Sequence, residues 1–182
     1  MHPRIAELTD YLQRARVELL AAVDAIPEAR CAEPPRAGTW SPAEVLDHLA
    51  VVEAGTARLL AKRVARAREA GLGPERETTS VLDALDGRGV ASRAERWEAP
   101  DLVAPRPGAT ITSALASLRE SRAALLDVLH GADGLDLSAV KATHARLGEI
   151  NVYQWALFIA QHEARHTEQL AEIAAGREGS AV

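Results

Sequence analysis

NVYQWALFIAQHEARHTEQLAEIAAG, running from Asn151 to Gly176, is the stretch that decides the fold. Taken in steps of three and four, Trp155, Phe158, His162, His166, Gln169 and Ile173 share one face of a helix, the face that meets a core. Asn151 is an N-cap residue with Gln154 three positions on, and Ile150 with Trp155 can form a hydrophobic staple. Gly176 ends the pattern. An imidazole held in an apolar interior costs free energy unless it finds a partner. Two imidazoles at i and i+4 can close on one metal ion, so the same stretch that specifies a helix also points to chemistry.

The same start grammar recurs earlier. Ser41 is an N-cap, Pro42 the first helical residue, and Glu44 completes a capping box, with Trp40 and Val45 as its staple. This second helix is expected to reach about Ala70, before Gly71. A first helix, from about His2 to Ile26, places Ile5, Leu8, Leu12, Ala15, Leu19 and Val23 on its inner face, and Pro27 stops it. A third, from about Thr112 to His130, carries Leu115, Leu118, Leu125 and Leu129 and is followed by Gly131. Four amphipathic helices of this length make an all-α four-helix bundle, expected as a single domain over 1–182.

Between the second and third helices lies a long crossover, residues 71–109, with Pro74, Pro100, Pro105 and Pro107 and an expected short helix near Thr79–Leu85. Connections this long tend to be functional or to cover something. Its length would let helices two and three run parallel.

Composition narrows the class. The chain is 47% hydrophobic but only 3% aromatic, which suits packed helices better than a sheet. A net charge of -5 lacks the electrostatic footprint of a nucleic-acid binder, so no nucleic-acid partner is expected. Lys62, Arg63, Arg66 and Arg68 read as a solvated helix end. The single cysteine, Cys31, excludes an internal disulfide framework and a thiolate-rich zinc site. No apolar leader and no span of about 20 apolar residues is present, so a cytoplasmic protein without a membrane partner is expected.

His48 falls among Val45, Leu49 and Val52 on the inner face of the second helix. With His162 and His166 it makes three imidazoles from two helices aimed at the bundle interior. Three histidines suffice for a catalytic zinc with its fourth position left to water or substrate, and nickel would also accept them. A lone inward histidine is usually a satisfied core residue; three together, with no evident carboxylate partners, favour the metal.

His162-Glu163-Ala164-Arg165-His166 also matches the protease pattern H-E-x-x-H, in which the glutamate is a general base. That reading is set aside. The metzincin extension needs Gly and His where Gln169 and Glu172 stand, and no strand pattern precedes the helix to supply a substrate edge. Glu163 lies about 100° round the helix from His162 and is expected at the surface or along the bundle rather than as a base; Asp47 beside His48 is read the same way. Gln169 shares the ligand face and could orient a metal-bound water or the substrate. His144, in an expected loop over Lys141–Glu149, either approaches the metal mouth or braces the loop. Arg122 and Arg165 could bind an anion but are given no role. His130 fits a cation at the negative end of a helix dipole.

The string from Gly38 to Leu49, GTWSPAEVLDHL, resembles the second-helix signature of the DinB-like family. GEINVYQW from Gly148, with HEARH from His162 and then Gln169, resembles its fourth-helix signature. The resemblance implies a four-helix bundle with a long crossover, pairing as a homodimer in many members, and a divalent metal on His48, His162 and His166. Relatives include bacillithiol S-transferases and the mycothiol-dependent maleylpyruvate isomerase, which use a low-molecular-weight thiol. For this chain it therefore implies metal-dependent transfer of such a thiol to a small electrophilic substrate, or hydrolysis of that substrate. The alternative is a non-catalytic, stress-associated metal-binding module acting through dimer or partner contacts.

Overall fold

The structure, a computed structural model, describes residues 1–95 and 97–176. Its helices are α1 (Pro3–Asp24), α2 (Pro42–Glu69), α3 (Ile111–Gly131) and α4 (Val152–Ala174), with short 3₁₀ turns at Glu28–Arg30 and Asp101–Val103. The expected caps form. Ser41 Oγ accepts from Glu44 N at 3.3 Å while the Glu44 carboxylate accepts from Ser41 N at 2.7 Å. Asn151 and Gln154 exchange the equivalent pair at 2.9 Å each. Gly71 ends α2 at φ +83°, letting Leu72 N reach back to the carbonyl of Ala67, a closure that favours glycine.

Helix directions follow from which residues meet. Arg16 reaches Glu163 and Arg4 lies over Tyr153, so α1 and α4 run parallel. Glu53 meets Ser121 and Arg68 meets Gly131, so α2 and α3 are also parallel, as the crossover length anticipated. The two pairs oppose one another: Thr9 contacts His130 while Arg16 contacts the Leu118 carbonyl. The bundle is therefore up-down-down-up.

Its interior is two apolar clusters rather than one. The first gathers Leu8 and Leu12 of α1, Leu60 of α2, Leu125 and Leu129 of α3 and the first half of α4. The second gathers Leu19 and Val23, Val45, Leu46, Leu49 and Ala50, Leu118, Leu170 and Ile173. At the level between them each helix breaks its apolar face with a polar group: Arg16, Glu53, Ser121 with Arg122, and His162 through His166. This belt holds the site.

Two expectations are corrected. Residues 79–85 are not a helix. Ser80 Oγ and Val81 N bond the Glu7 carboxylate, and i to i−3 turns follow at Ala84, Asp86 and Arg88. Thr, Ser and Asp compete with the helical backbone for hydrogen bonds, so a segment this short does not nucleate. The expected loop before α4 is a hairpin, β1 (Lys141–His144) antiparallel to β2 (Gly148–Asn151), with Lys141 opposite Asn151. Strands of four residues are too short to show a period of two, so this edge escaped the sequence reading.

The crossover is structural as well as long. Glu75 accepts from Arg4 at 3.1 Å and from Tyr153 Oη at 2.8 Å. Val81, Leu85 and Val90 are buried against the first cluster. Its last third roofs the site. Among the described residues no helix is long and apolar enough to cross a membrane.

Candidate functional site

The belt has two halves. In one, Glu53 and Glu163 face Arg16 and Arg122 in a closed square of ion pairs, each acid touching both guanidiniums. Ser121 Oγ adds a bond to Glu53 at 2.6 Å, and Arg16 Nη1 one to the Leu118 carbonyl at 2.8 Å. Both carboxylates are 2% exposed. Glu163 is thus neither a surface residue nor free to act as a base. It points about 100° away from His162, as expected, but that direction leads to α1 and α3 instead of solvent. The H-E-x-x-H protease reading fails on this pairing, although a strand edge does precede the helix.

In the other half His48, His162 and His166, all buried, bring one ring nitrogen each to within 4.8 Å of one another. His162 Nε2 is 3.3 Å from His48 Nε2 and 3.1 Å from His166 Nε2. Two nitrogens bound tetrahedrally at zinc distances would stand about 3.3 Å apart. His48 Nδ1 lies 2.7 Å from the Val103 carbonyl, which can only accept, so Nδ1 carries the hydrogen and Nε2 a lone pair. His166 Nδ1 likewise meets Gln169 Oε1 at 2.8 Å. Two lone pairs therefore converge on His162, which can offer a hydrogen to at most one of them. The donor set fits a divalent cation.

Electrostatics keeps these rings neutral. Burial, then the charge His166 and His48 would carry, push the His162 imidazole well below its ordinary value. Burial, with His48, pushes His166 down to about 3. Burial also lowers His48, although its bond to Val103 and the nearby Asp47 work the other way.

Asp47, expected at the surface, is buried and fastens the roof. Its carboxylate accepts from Arg106 N at 2.7 Å and Arg106 Nε at 3.0 Å. Burial alone would raise its carboxyl; the Arg106 hydrogen bonds and charge outweigh that and hold it below the usual range. The consecutive residues Asp47 and His48 thereby grip the crossover on both sides of Pro105, at Arg106 and at Val103. Gln169 positions His166. His144 does not join the triad: its Nδ1 accepts from the Arg146 and Leu147 amides at 3.1 Å each, bracing the hairpin turn. Its ring packs on Phe158 with centroids 4.5 Å apart.

The triad lies in the wall of a cleft of about 880 Å³ shared by α2, α4, the hairpin and the roof. Trp97, Trp155, Phe158 and Leu59 supply apolar walls, and Arg93, Arg146 and Arg165 approach from one side. Leu102, 90% exposed, forms a lip. The Trp97 ring meets the guanidiniums of both Arg146, at 4.2 Å, and Arg165, at 5.4 Å. Val103, Arg106, Trp97, Glu53 and Arg16 were missed by the sequence reading. Glu53 could have been found by the criterion that found His48, since it falls between Leu49 and Thr56 on the inner face of α2. The crossover residues carry no such signal.

The comparisons agree with this architecture. The uncharacterized protein YuaE of Bacillus subtilis (strain 168) is 28% identical over 159 residues, spanning 87% of this chain and 92% of YuaE. TT2238, a four-helix bundle protein of known crystal structure, superposes with a TM-score of 0.61 at 26% identity, covering 91% of this chain and 97% of TT2238. A family profile for the DinB superfamily matches residues 11–170, which include all three histidines, the polar belt and the whole roof. The chain belongs to the DinB superfamily.

Proposed function

We propose that this protein is a divalent-metal-dependent enzyme acting on a small electrophilic substrate, with His48, His162 and His166 as its metal ligands. The observation that carries the reading is the convergence of three neutral imidazoles, two with their lone pairs directed inward by Val103 and Gln169, in the wall of a large apolar cleft. Neutral rings bind a cation without first releasing protons. Bound there, a divalent ion, with zinc first and nickel second, supplies Lewis acidity and lowers the pKa of a coordinated nucleophile.

The chain's own residues do the rest. Val103 and Gln169 hold the ring tautomers, as partners of metal-bound histidines commonly do. Trp97, Trp155 and Phe158 keep water from the reacting groups and strengthen electrostatics within the cleft. Transfer of a low-molecular-weight thiol is favoured over hydrolysis by the family resemblance alone. A cleft of this size beside the ligands favours turnover over a non-catalytic metal-binding module acting through dimer or partner contacts.

Elemental analysis of untagged protein, beside His162→Ala checked for folding by its melting curve, tests the site. About one equivalent of zinc or nickel in the wild type, lost in the variant, supports it. A wild type that takes up neither metal after reconstitution sinks it. A screen of thiols against electrophiles then tests turnover, which His48→Ala should abolish.

A further inference from the structure

One of the three guanidiniums lining the cleft makes no direct ion pair among the described residues. Arg146 pairs with Glu95 and Arg93 with Glu172, while Arg165 has no carboxylate within ion-pair distance among the described residues. It is only 6% exposed, and its Nη2 donates to the Glu95 backbone carbonyl at 2.5 Å. Nη1 is buried without an acceptor among the described residues. Buried charged donors are seldom left unmatched, so such an atom calls for an explanation. The Trp97 ring, its centroid 5.4 Å from the guanidinium carbon, satisfies no N–H.

Arg165 is three residues beyond His162 on α4, about 4.5 Å along the axis, and lines the same cleft. The walls between are apolar: Trp155, Phe158, Val52 and Leu59. We infer that Arg165 is the anion-recognition residue of this cleft and that its ligand is a monocarboxylate with an apolar, preferably aromatic, body. A single unmatched guanidinium suits one negative charge better than a dianionic phosphate, and its planar donors match a carboxylate. Calling the ligand a substrate rests on the reading of the histidines as a reaction centre; the binding itself does not require the metal.

The test measures binding of 3-phenylpropionate and of its neutral counterpart 3-phenylpropionamide by calorimetry, with Trp fluorescence as a second readout. Wild type, Arg165→Gln and Arg165→Lys are compared, each dialysed against chelator and each with zinc added. The carboxylate is expected to bind chelated wild type at least tenfold more tightly than the amide. Arg165→Gln should bind both alike, and Arg165→Lys should keep part of the preference, which separates a charge effect from misfolding. Equal binding of the two probes to wild type, no binding of the carboxylate, or a preference that survives in Arg165→Gln would each overturn the proposal. Carboxylate binding that appears only with zinc would overturn it too, by placing the anion at the histidines. A preference that depends on Arg165 in protein unable to take up zinc would leave this subsite standing and remove the metal reading instead.

Discussion

His48 Nδ1 meets the Val103 carbonyl at 2.7 Å, so a backbone group of the crossover, 55 positions along the chain, decides which nitrogen His48 turns toward the other two histidines. The roof and the ligand set are therefore mechanically linked. The neighbouring Asp47–Arg106 pair is the clamp.

Loosening that clamp should weaken metal binding without touching a ligand. In Arg106→Ala the buried Asp47 carboxylate loses its guanidinium but keeps the backbone N–H of residue 106. The expected cost is about 1–2 kcal/mol of stability and about tenfold in zinc affinity. Competition against a fluorescent zinc chelator reads the second quantity. Unchanged affinity would mean that Val103 stays in place without the clamp.

Gln169 should act through His166 alone. Gln169→Ala leaves the His166 ring free to rotate and to exchange its tautomer, and is expected to lower zinc affinity by about 10- to 100-fold. Zinc stoichiometry at saturation should remain one. If Gln169 instead touched only substrate, KM would rise while zinc affinity stayed the same.

Glu163 separates a structural acid from a catalytic one. Removing its charge by Glu163→Gln leaves Arg16 and Arg122 sharing Glu53 alone inside the bundle. Breaking a buried pair in this way costs about 3–5 kcal/mol, visible as an earlier midpoint in urea. The folded fraction should bind zinc as the wild type does. A variant with wild-type stability and no activity would restore Glu163 as a base.

Glu75 predicts a pH dependence. Burial alone would raise its carboxyl; hydrogen bonds from the Glu77 amide, Tyr153 and the Arg76 amide, with Arg4 nearby, outweigh burial and hold it below the usual range. In the unfolded chain the group regains its ordinary value, so on acidification the unfolded state takes up this proton first. The stability it contributes is full above the ordinary carboxylate range and is lost as pH falls through the depressed folded value. Glu75→Gln should cost about 2 kcal/mol at pH 7, and the gap to wild type should narrow below about pH 4. Melting curves across that range give the answer, and a constant gap would assign the effect to packing.

How far the site could be read in advance depended on the range of the interactions involved. The capping pairs at Ser41 and Asn151 act over three residues, so they were visible in the sequence and form as expected. The three histidines were visible because apolar spacing sets each helix's phase, and both helices place them inward. For Asp47 and Glu163, expected at the surface or along the bundle, the surface alternative rested on one assumption, that a side chain about 100° from the inner face meets solvent. In α4 that assumption fails, because nearly every position from Val152 to Gln169 is at least half-buried beneath α1, the hairpin and the crossover.

By itself, then, the amino-acid sequence determined the helices, their ends and a triad of imidazoles facing inward, since periodicity and capping are local properties of the backbone. Tertiary structure alone decided that Glu163 answers Arg16 and Arg122, that Val103 orients His48, and that Trp97 and Arg165 meet at one end of the cleft. Those pairings join residues tens of positions apart. They depend on which of several buried faces each helix turns to which neighbour, and a pattern along one helix holds no record of that choice.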